Sequence, residues 1–371
     1  MPRFSLRKYS LFKPAGKKLV RLALSLLLGA LGGAVFFYFN LPLAWMLGSM
    51  TFTTIAALSG APVTLHTPLR MAMVAVLGTL LGSAFTPQIL DRLQHWGYGV
   101  VIMVAFVTVM TAVSVFFLVR VGKMDRNTAY FAGTPGGLGE MTIVGELQGG
   151  DPRTIALVHA TRIFVVVFLL PLYLATIGDF EIPNTARVLG NQASAQGWEL
   201  AILGACAVIG YYLGRILRLP GGQILGPLVV SAIAYLSGLV DGRPPANLIA
   251  IAQVVIGSAI GARFVGLNLR QMARPIILAL CSALAMLAMA AAFATAIAPW
   301  LDLPMHALLL ALSPGGLAEM SLIALALNVD TAFIATMHLV RILLIVTMAP
   351  IVFRVLKWNT SDHTASPSPR N

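Results

Sequence analysis

Apolar residues in this chain run in long blocks. They neither alternate nor recur on a single face. Twelve blocks stand out, at 19–39, 43–59, 69–86, 97–119, 128–149, 154–177, 198–217, 223–239, 246–262, 275–299, 305–327 and 331–353. A soluble helix shows an apolar stripe and a polar back, whereas a block apolar all round is buried in protein or in lipid. About 20 such residues span a bilayer core as a helix. The pattern therefore predicts an all-α integral membrane protein. Two of the blocks, 128–149 and 305–327, are interrupted by Pro-Gly-Gly. Proline lacks an amide hydrogen and glycine is conformationally free, so each of these two is expected to break.

Composition agrees. Of 371 residues, 58% are hydrophobic and 10% charged, with a mean hydropathy of +0.87. Soluble domains carry about 25% charged residues, and a soluble fold of this length could not hide so much apolar surface. The net charge of +12 would first suggest nucleic acid in a soluble protein. Here the basic residues stand in short loops and in the leading segment (Arg3, Arg7, Lys8, Lys13, Lys17, Lys18, Arg21). That placement fits the positive-inside rule, with the N-terminus cytoplasmic, and no direct nucleic-acid contact is expected. The basic start followed by Leu19–Phe39 has the polarity of a signal peptide, but the run is long enough to span and has a counterpart later in the chain. It is read as a retained first helix. Cys206 and Cys281 lie inside apolar blocks, so no disulfide framework is indicated. The six histidines show no metal-ligand spacing, and no metal or cofactor is expected.

An internal repeat organises the rest. Thr134-Pro-Gly-Gly-Leu-Gly-Glu-Met141 recurs as Ser313-Pro-Gly-Gly-Leu-Ala-Glu-Met320. Asp151, His159, Arg162 and Pro171 match Asp330, His338, Arg341 and Pro350 at the same offset of 179, as Gly78, Gly82 and Phe85 match Gly257, Gly261 and Phe264. Leu41-Pro42 and Gly48 match Leu219-Pro220 and Gly226 at 178. A fixed offset over so many segments means duplication, which is common in secondary transporters. The organisation read from it is a basic cytoplasmic segment 1–18, a first membrane repeat 19–177, a linker 178–197, a second repeat 198–355 and a polar, Pro-rich, disordered tail 356–371. If the two broken blocks are re-entrant, about ten helices span and the repeats are inverted. With the N-terminus inside, that arrangement puts 20 Lys/Arg inside and three outside, leaving out Arg162 and Arg341, which lie in spans. Twelve spans with parallel repeats would give 16 inside and seven outside. The orientation rule favours the re-entrant, inverted arrangement.

Candidate chemistry clusters at the breaks. Irregular backbone at membrane depth survives only where protein or a watery cavity covers it. The helices restarting at Leu138 and Leu317 would aim amide-rich ends at such a cavity, attracting anions and polar groups. Substrate or ion binding is therefore expected at Thr134, Pro135, Gly136, Gly137 and Glu140, and at Ser313, Pro314, Gly315, Gly316 and Glu319. Intramembrane carboxylates are costly and point to function, as proton carriers or cation ligands. A structural role, pairing with Arg162 or Arg341 or capping the new helix, weighs equally. His159 and Arg162, three apart, share a helix face, as do His338 and Arg341. The arginines are read as pathway residues. The histidines are read rather as polar glue between helices, and stand with Glu146, whose counterpart is Leu325, as possible supporting residues. Asp151 and Asp330 look like helix N-caps. The paired small-xxx-small spacings at Gly78/Gly82 and Gly257/Gly261 read as helix contacts. No phosphate-binding G-x-x-x-x-G-K-[ST] occurs, so nothing suggests ATP-driven transport.

The doubled Pro-Gly-Gly-Leu-x-Glu-Met motif with its downstream Asp, His and Arg resembles the AbrB family of bacterial membrane proteins, also called the AbrB duplication family, over about residues 20–355. The copies depart from one another within the motif core only at Gly139/Ala318. The resemblance implies a multi-pass protein of the bacterial cytoplasmic (inner) membrane. It brings two labels, a regulator of gene expression and an ammonia monooxygenase. A monooxygenase needs a metal or organic cofactor, and the sequence offers no clustered ligand set. Nor is there a soluble stretch large enough for a nucleic-acid-binding module. The expectation is a non-enzymatic secondary transporter or exporter of a small solute, working by alternating access. Its expected partners are the lipid bilayer, an unknown small solute and a possible second copy of the chain. The alternative is a membrane-embedded sensor or partner-binding protein that regulates gene expression indirectly.

Overall fold

The computed structural model describes residues 15–86, 89–177, 195–267, 269–301, 303–327 and 329–356. The leading basic residues through Lys13, the linker at 178–194, Asn268 and the tail from 357 lie outside them. Every regular element among the described residues is helical. The first half contains α1 (Ala15–Tyr38), α2 (Ala44–Leu58), α3 (Thr67–Gly82), α4 (Ile89–Arg120), α5 (Arg126–Gly133), α6 (Leu138–Leu147) and α7 (Pro152–Ile177). The second repeats the series as α8 (Gly197–Ile216), α9 (Gly222–Leu236), α10 (Ala246–Gly261), α11 (Leu269–Leu301), α12 (Met305–Leu312), α13 (Leu317–Ala326) and α14 (Thr331–Val355), with a 3-10 turn at Ala262–Phe264 after α10.

Seven helices are long and apolar enough to cross a membrane: α1, α4, α7, α8, α10, α11 and α14. α2, α3 and α9 are apolar but shorter. At 1.5 Å per residue the 32-residue α4 would be about 48 Å long, beyond the hydrocarbon core of about 30 Å. Such a helix crosses tilted or projects beyond the core.

Caps fix the starts of the helices that matter for the site. Asp125 accepts the amide of Thr128 at α5, and Asp330 accepts that of Phe333 at α14. Asp151 accepts the amides of Arg153 and Thr154 at α7, and the Thr154 hydroxyl as well. Burial would raise the Asp151 carboxyl. The hydrogen bonds from Thr154 and Arg153, with the Arg153 charge, outweigh it and hold the group below its ordinary value.

Small residues bring the helices together. A Cβ on Gly48 of α2 would collide with the backbone oxygen of Gly32 on α1, and one on Gly226 of α9 with that of Gly210 on α8. The same contact thus appears once in each half. Other contacts exchange between halves. α2 packs on α10 and α3 on α9; α4 packs on α14 and α7 on α11. At these crossings Gly78 faces Pro227, Gly82 faces Ser231, Gly257 faces Ser49 and Gly261 faces Thr53. Close backbone approach is how helices gain packing energy where lipid removes any hydrophobic preference between them. The main apolar core, with Met46, Leu77, Phe106, Phe131, Met320 and Phe333 fully buried, runs through both halves.

Candidate functional site

Each Pro-Gly-Gly ends one helix and starts another. α5 stops at Gly133, and the chain turns tightly over Pro135, where the Gly136 amide reaches back to the Thr134 carbonyl at 2.8 Å. α6 then starts with Gly137 as its N-cap. The copy is equivalent: Gly315 N donates to Ser313 O at 2.9 Å and Gly316 is the N-cap of α13. A three-residue turn of this kind suits proline, whose φ is already close to the required value. Thr134 and Ser313 lock the preceding turn by donating to the carbonyls of Tyr130 and Leu309.

The motif is an interlocked unit. A Cβ on Gly137 would collide with Glu140 Oε2, and one on Gly316 with Glu319 Oε2. The carboxylate of each glutamate, third in its helix, thus folds back over the N-cap glycine. That is the position from which a carboxylate complements the free amides and positive end of a helix. The neighbouring glycines are filled by methionine: a Cβ on Gly136 would lie 2.8 Å from Met141 Cγ, and one on Gly315 2.7 Å from Met320 Sδ. Gly139 has open space around it, which is why Ala318 can stand at that position in the copy. Pro135, Thr134, Pro314 and Ser313 are buried; Glu140 and Glu319 are half-buried.

Arginines from the following helices hold the other side of each break. Arg162 of α7 donates to the carbonyls of Thr134 (3.4 Å) and Gly136 (3.3 Å). Arg341 of α14 donates to those of Ser313 and Gly315. Both arginines are 3% exposed. The guanidinium fork spans the two carbonyls that flank proline, so the negative end of α5 or α12 meets a positive charge. Nε of each remains buried without a partner, and among the described residues neither forms an ion pair with Glu140 or Glu319. The two guanidiniums interact electrostatically with one another, so the breaks lie near each other. Contacts cross between halves here also: α6 with α14, and α13 with α7.

His159 and His338 are fully buried, their Nε2 atoms 2.9 and 3.1 Å from the carbonyls of Phe131 and Leu310. A carbonyl only accepts, so Nε2 carries the proton. Arg162 donates to His159 Nδ1 at 2.7 Å, which makes that ring neutral; the matching Nδ1 of His338 is buried and unpartnered. Both rings tie the last helix of a half to the first arm of its broken segment. Glu146 stands exposed near the far end of α6, away from the break, where its counterpart Leu325 is buried.

Cavities lie beside the first break and beyond it. One of about 790 Å³ lies between α4 and α14, is largely apolar, and touches the first break only at Thr134. Two others, of about 580 and 380 Å³, share Arg263 on the 3-10 turn after α10. The first of these reaches Leu138 at the start of α6. In the sequence Arg263 reads only as a loop charge just after an apolar block. The available signal was its partner in the repeat, Ala84: a charge in one copy where the other has a methyl group.

The profile of the AbrB family, described as "Transition state regulatory protein AbrB", matches residues 45–357 and so takes in both breaks and both arginines. The chain belongs to the AbrB family. "Putative regulator AbrB" of Escherichia coli K12 is 29% identical over 320 residues, covering 85% of this chain and 91% of that protein. "Uncharacterized protein YhjN" of Bacillus subtilis 168 is 23% identical over 358 residues, covering 89% of this chain and 91% of its relative. The AbrB-family resemblance read from the doubled motif is therefore shown, and with it a helical, apolar, membrane-type protein.

Proposed function

We propose that this AbrB-family protein is a secondary transporter of a small solute, working by alternating access around the two broken segments. The observation that carries the reading is the pair of equivalent breaks, each clamped by a buried arginine and each packed against the last helix of the opposite half. Such a pair gives the two halves a shared centre about which they can rock. Glu140 and Glu319, half-buried at the starts of α6 and α13, are the groups to carry a coupling proton or bind a cation.

The ends of the first broken segment meet. Asn127 Nδ2 donates to Gln148 O at 2.7 Å, and the Asp151 amide donates to Thr128 Oγ1 at 2.7 Å. This supports a hairpin that enters and leaves by one membrane face. With five crossings in each half the repeats are then inverted, and the N-terminus lies in the cytoplasm of a bacterial inner membrane. The reading assigns the chain no catalytic residue and no cofactor.

A second reading, a membrane-embedded regulator of gene expression, draws on the names attached to the family and to the Escherichia coli relative. Purified protein in proteoliposomes separates the two. Under an imposed proton gradient the wild type should accumulate a radiolabelled solute from a panel of amines, amino acids and organic acids. Glu140→Gln with Glu319→Gln should abolish uptake, since an amide can neither carry the coupling proton nor pair with a cation. If no panel solute moves, and the double variant leaves a regulatory phenotype intact in cells, the regulator reading replaces the transporter.

A further inference from the structure

The two cavities that meet at Arg263 are unusual in what lines them. One is lined by Arg263, Arg153 and Leu138 with apolar neighbours from α7 and α11; the other by Arg263, Arg70 and Thr64 with Val63 and Val265. Among the described residues, neither has an aspartate or glutamate in its lining. Arg263 thus stands between the two cavities, with Arg70 in one and Arg153 in the other. Arg263 Nη1 is buried there without a hydrogen-bond partner. A buried donor left unsatisfied is costly, and like charges held together add to the cost. Glu319, at the second break, interacts electrostatically with Arg263 but forms no ion pair with it among the described residues.

The repeat offers an internal control. At the offset of 179, Arg70, Arg153 and Arg263 correspond to Ile249, Ala332 and Ala84. None of the three arginines is therefore repeated in the other copy, although Thr64 of the second cavity corresponds there to Arg243. A structural need for these three arginines common to both halves would have kept them in both.

We infer that the hollow formed by the two cavities around Arg263 binds a small anion through a carboxylate or phosphate group. Arg263 is its inner ligand, Arg70 and Arg153 stand on its two flanks, and Leu138 forms its wall towards the first break. The planar donor fork of arginine matches both oxyanions, and cavities of a few hundred Å³ hold ligands of metabolite size. That the bound anion is also the cargo rests on the transport reading above; that the hollow binds an anion does not. An anionic lipid headgroup offers the same chemistry, and the experiment separates the two sources.

The full chain is placed in nanodiscs of zwitterionic phosphatidylcholine, and thermal unfolding is followed at constant ionic strength with inorganic phosphate, succinate or citrate. Uncharged succinamide is the control. At least one of the three anions should raise the midpoint and succinamide should not. Arg263→Gln should lose the response. Arg153→Gln, at an exposed position where folding is not at risk, should weaken apparent affinity about tenfold, as expected for loss of one charge-assisted contact. The inference is overturned if no anion stabilises the wild type, or if both variants respond as the wild type does. It is equally overturned if stabilisation comes only from added phosphatidylglycerol, which would make the hollow a headgroup site. Flux in vesicles tests the other reading separately. Anion binding without movement of any solute sinks the transporter and leaves this site standing; movement of neutral or cationic solutes alone, with no anion binding, does the reverse.

Discussion

At the scale of single residues the Pro-Gly-Gly motif is a packing solution. Proline sets the turn, the first glycine leaves room for a methionine five residues on, and the second leaves room for a glutamate three residues on. Arginine then closes the unit by gripping the carbonyls on either side of proline. Gly137→Ala and Gly316→Ala should each push a glutamate off its helix end and cost about 1–3 kcal/mol, the usual scale for a disrupted buried arrangement. Gly139→Ala meets open space and should be neutral or stabilising by up to about 1 kcal/mol, since alanine is the better helix former. Denaturant unfolding of the three variants in detergent checks the order. Equal effects at Gly137 and Gly139 would mean that the glutamate does not occupy the space over Gly137.

At the scale of elements the breaks matter because neither arm is long enough to cross alone. α5 has eight residues and α6 ten, or about 12 and 15 Å of helix. Whether the two arms together cross or return is a matter of where their outer ends lie. In a background with Cys206→Ser and Cys281→Ser, single cysteines at Asn127 and Gln148 should react with an impermeant maleimide from the same side of the membrane. A cysteine at Leu303, leading into α12, should react from the other. Labelling of Asn127 and Gln148 from opposite sides would make the segment a broken span. Much of this was legible in the sequence. Length and apolarity marked all twelve helical blocks, and the missing amide of proline marked both breaks within a residue or two. What could not be read was what stands opposite. The spacing of His159 and Arg162 put them on one face, but not that this face meets the carbonyls of α5. Arg70, Arg153 and Arg263 come from three distant segments, and only folding brings them to two cavities that share Arg263.

At the scale of the whole molecule the halves are not two domains joined end to end. α2 needs α10, and α3 needs α9; the glycines at those crossings leave gaps that only the other half fills. Cutting the chain within the linker, after Gly190, and expressing the pieces from separate genes tests this. Each alone should fail to accumulate in the membrane, and the two together should copurify at a 1:1 ratio. Stable accumulation of either piece by itself would show that the exchanged contacts are dispensable. The same crossings say something about ancestry. Contacts that pair element two of one copy with element three of the other, in both directions, are those two identical chains make across a twofold axis. Before the gene doubled, a single-length protein would have had to meet its own twin to cover these faces; on the proposed topology of five crossings per half, the twin would have been inserted upside down. On that same topology, fusion would remove the need to be made in both orientations and leave loop charge free to settle on one side.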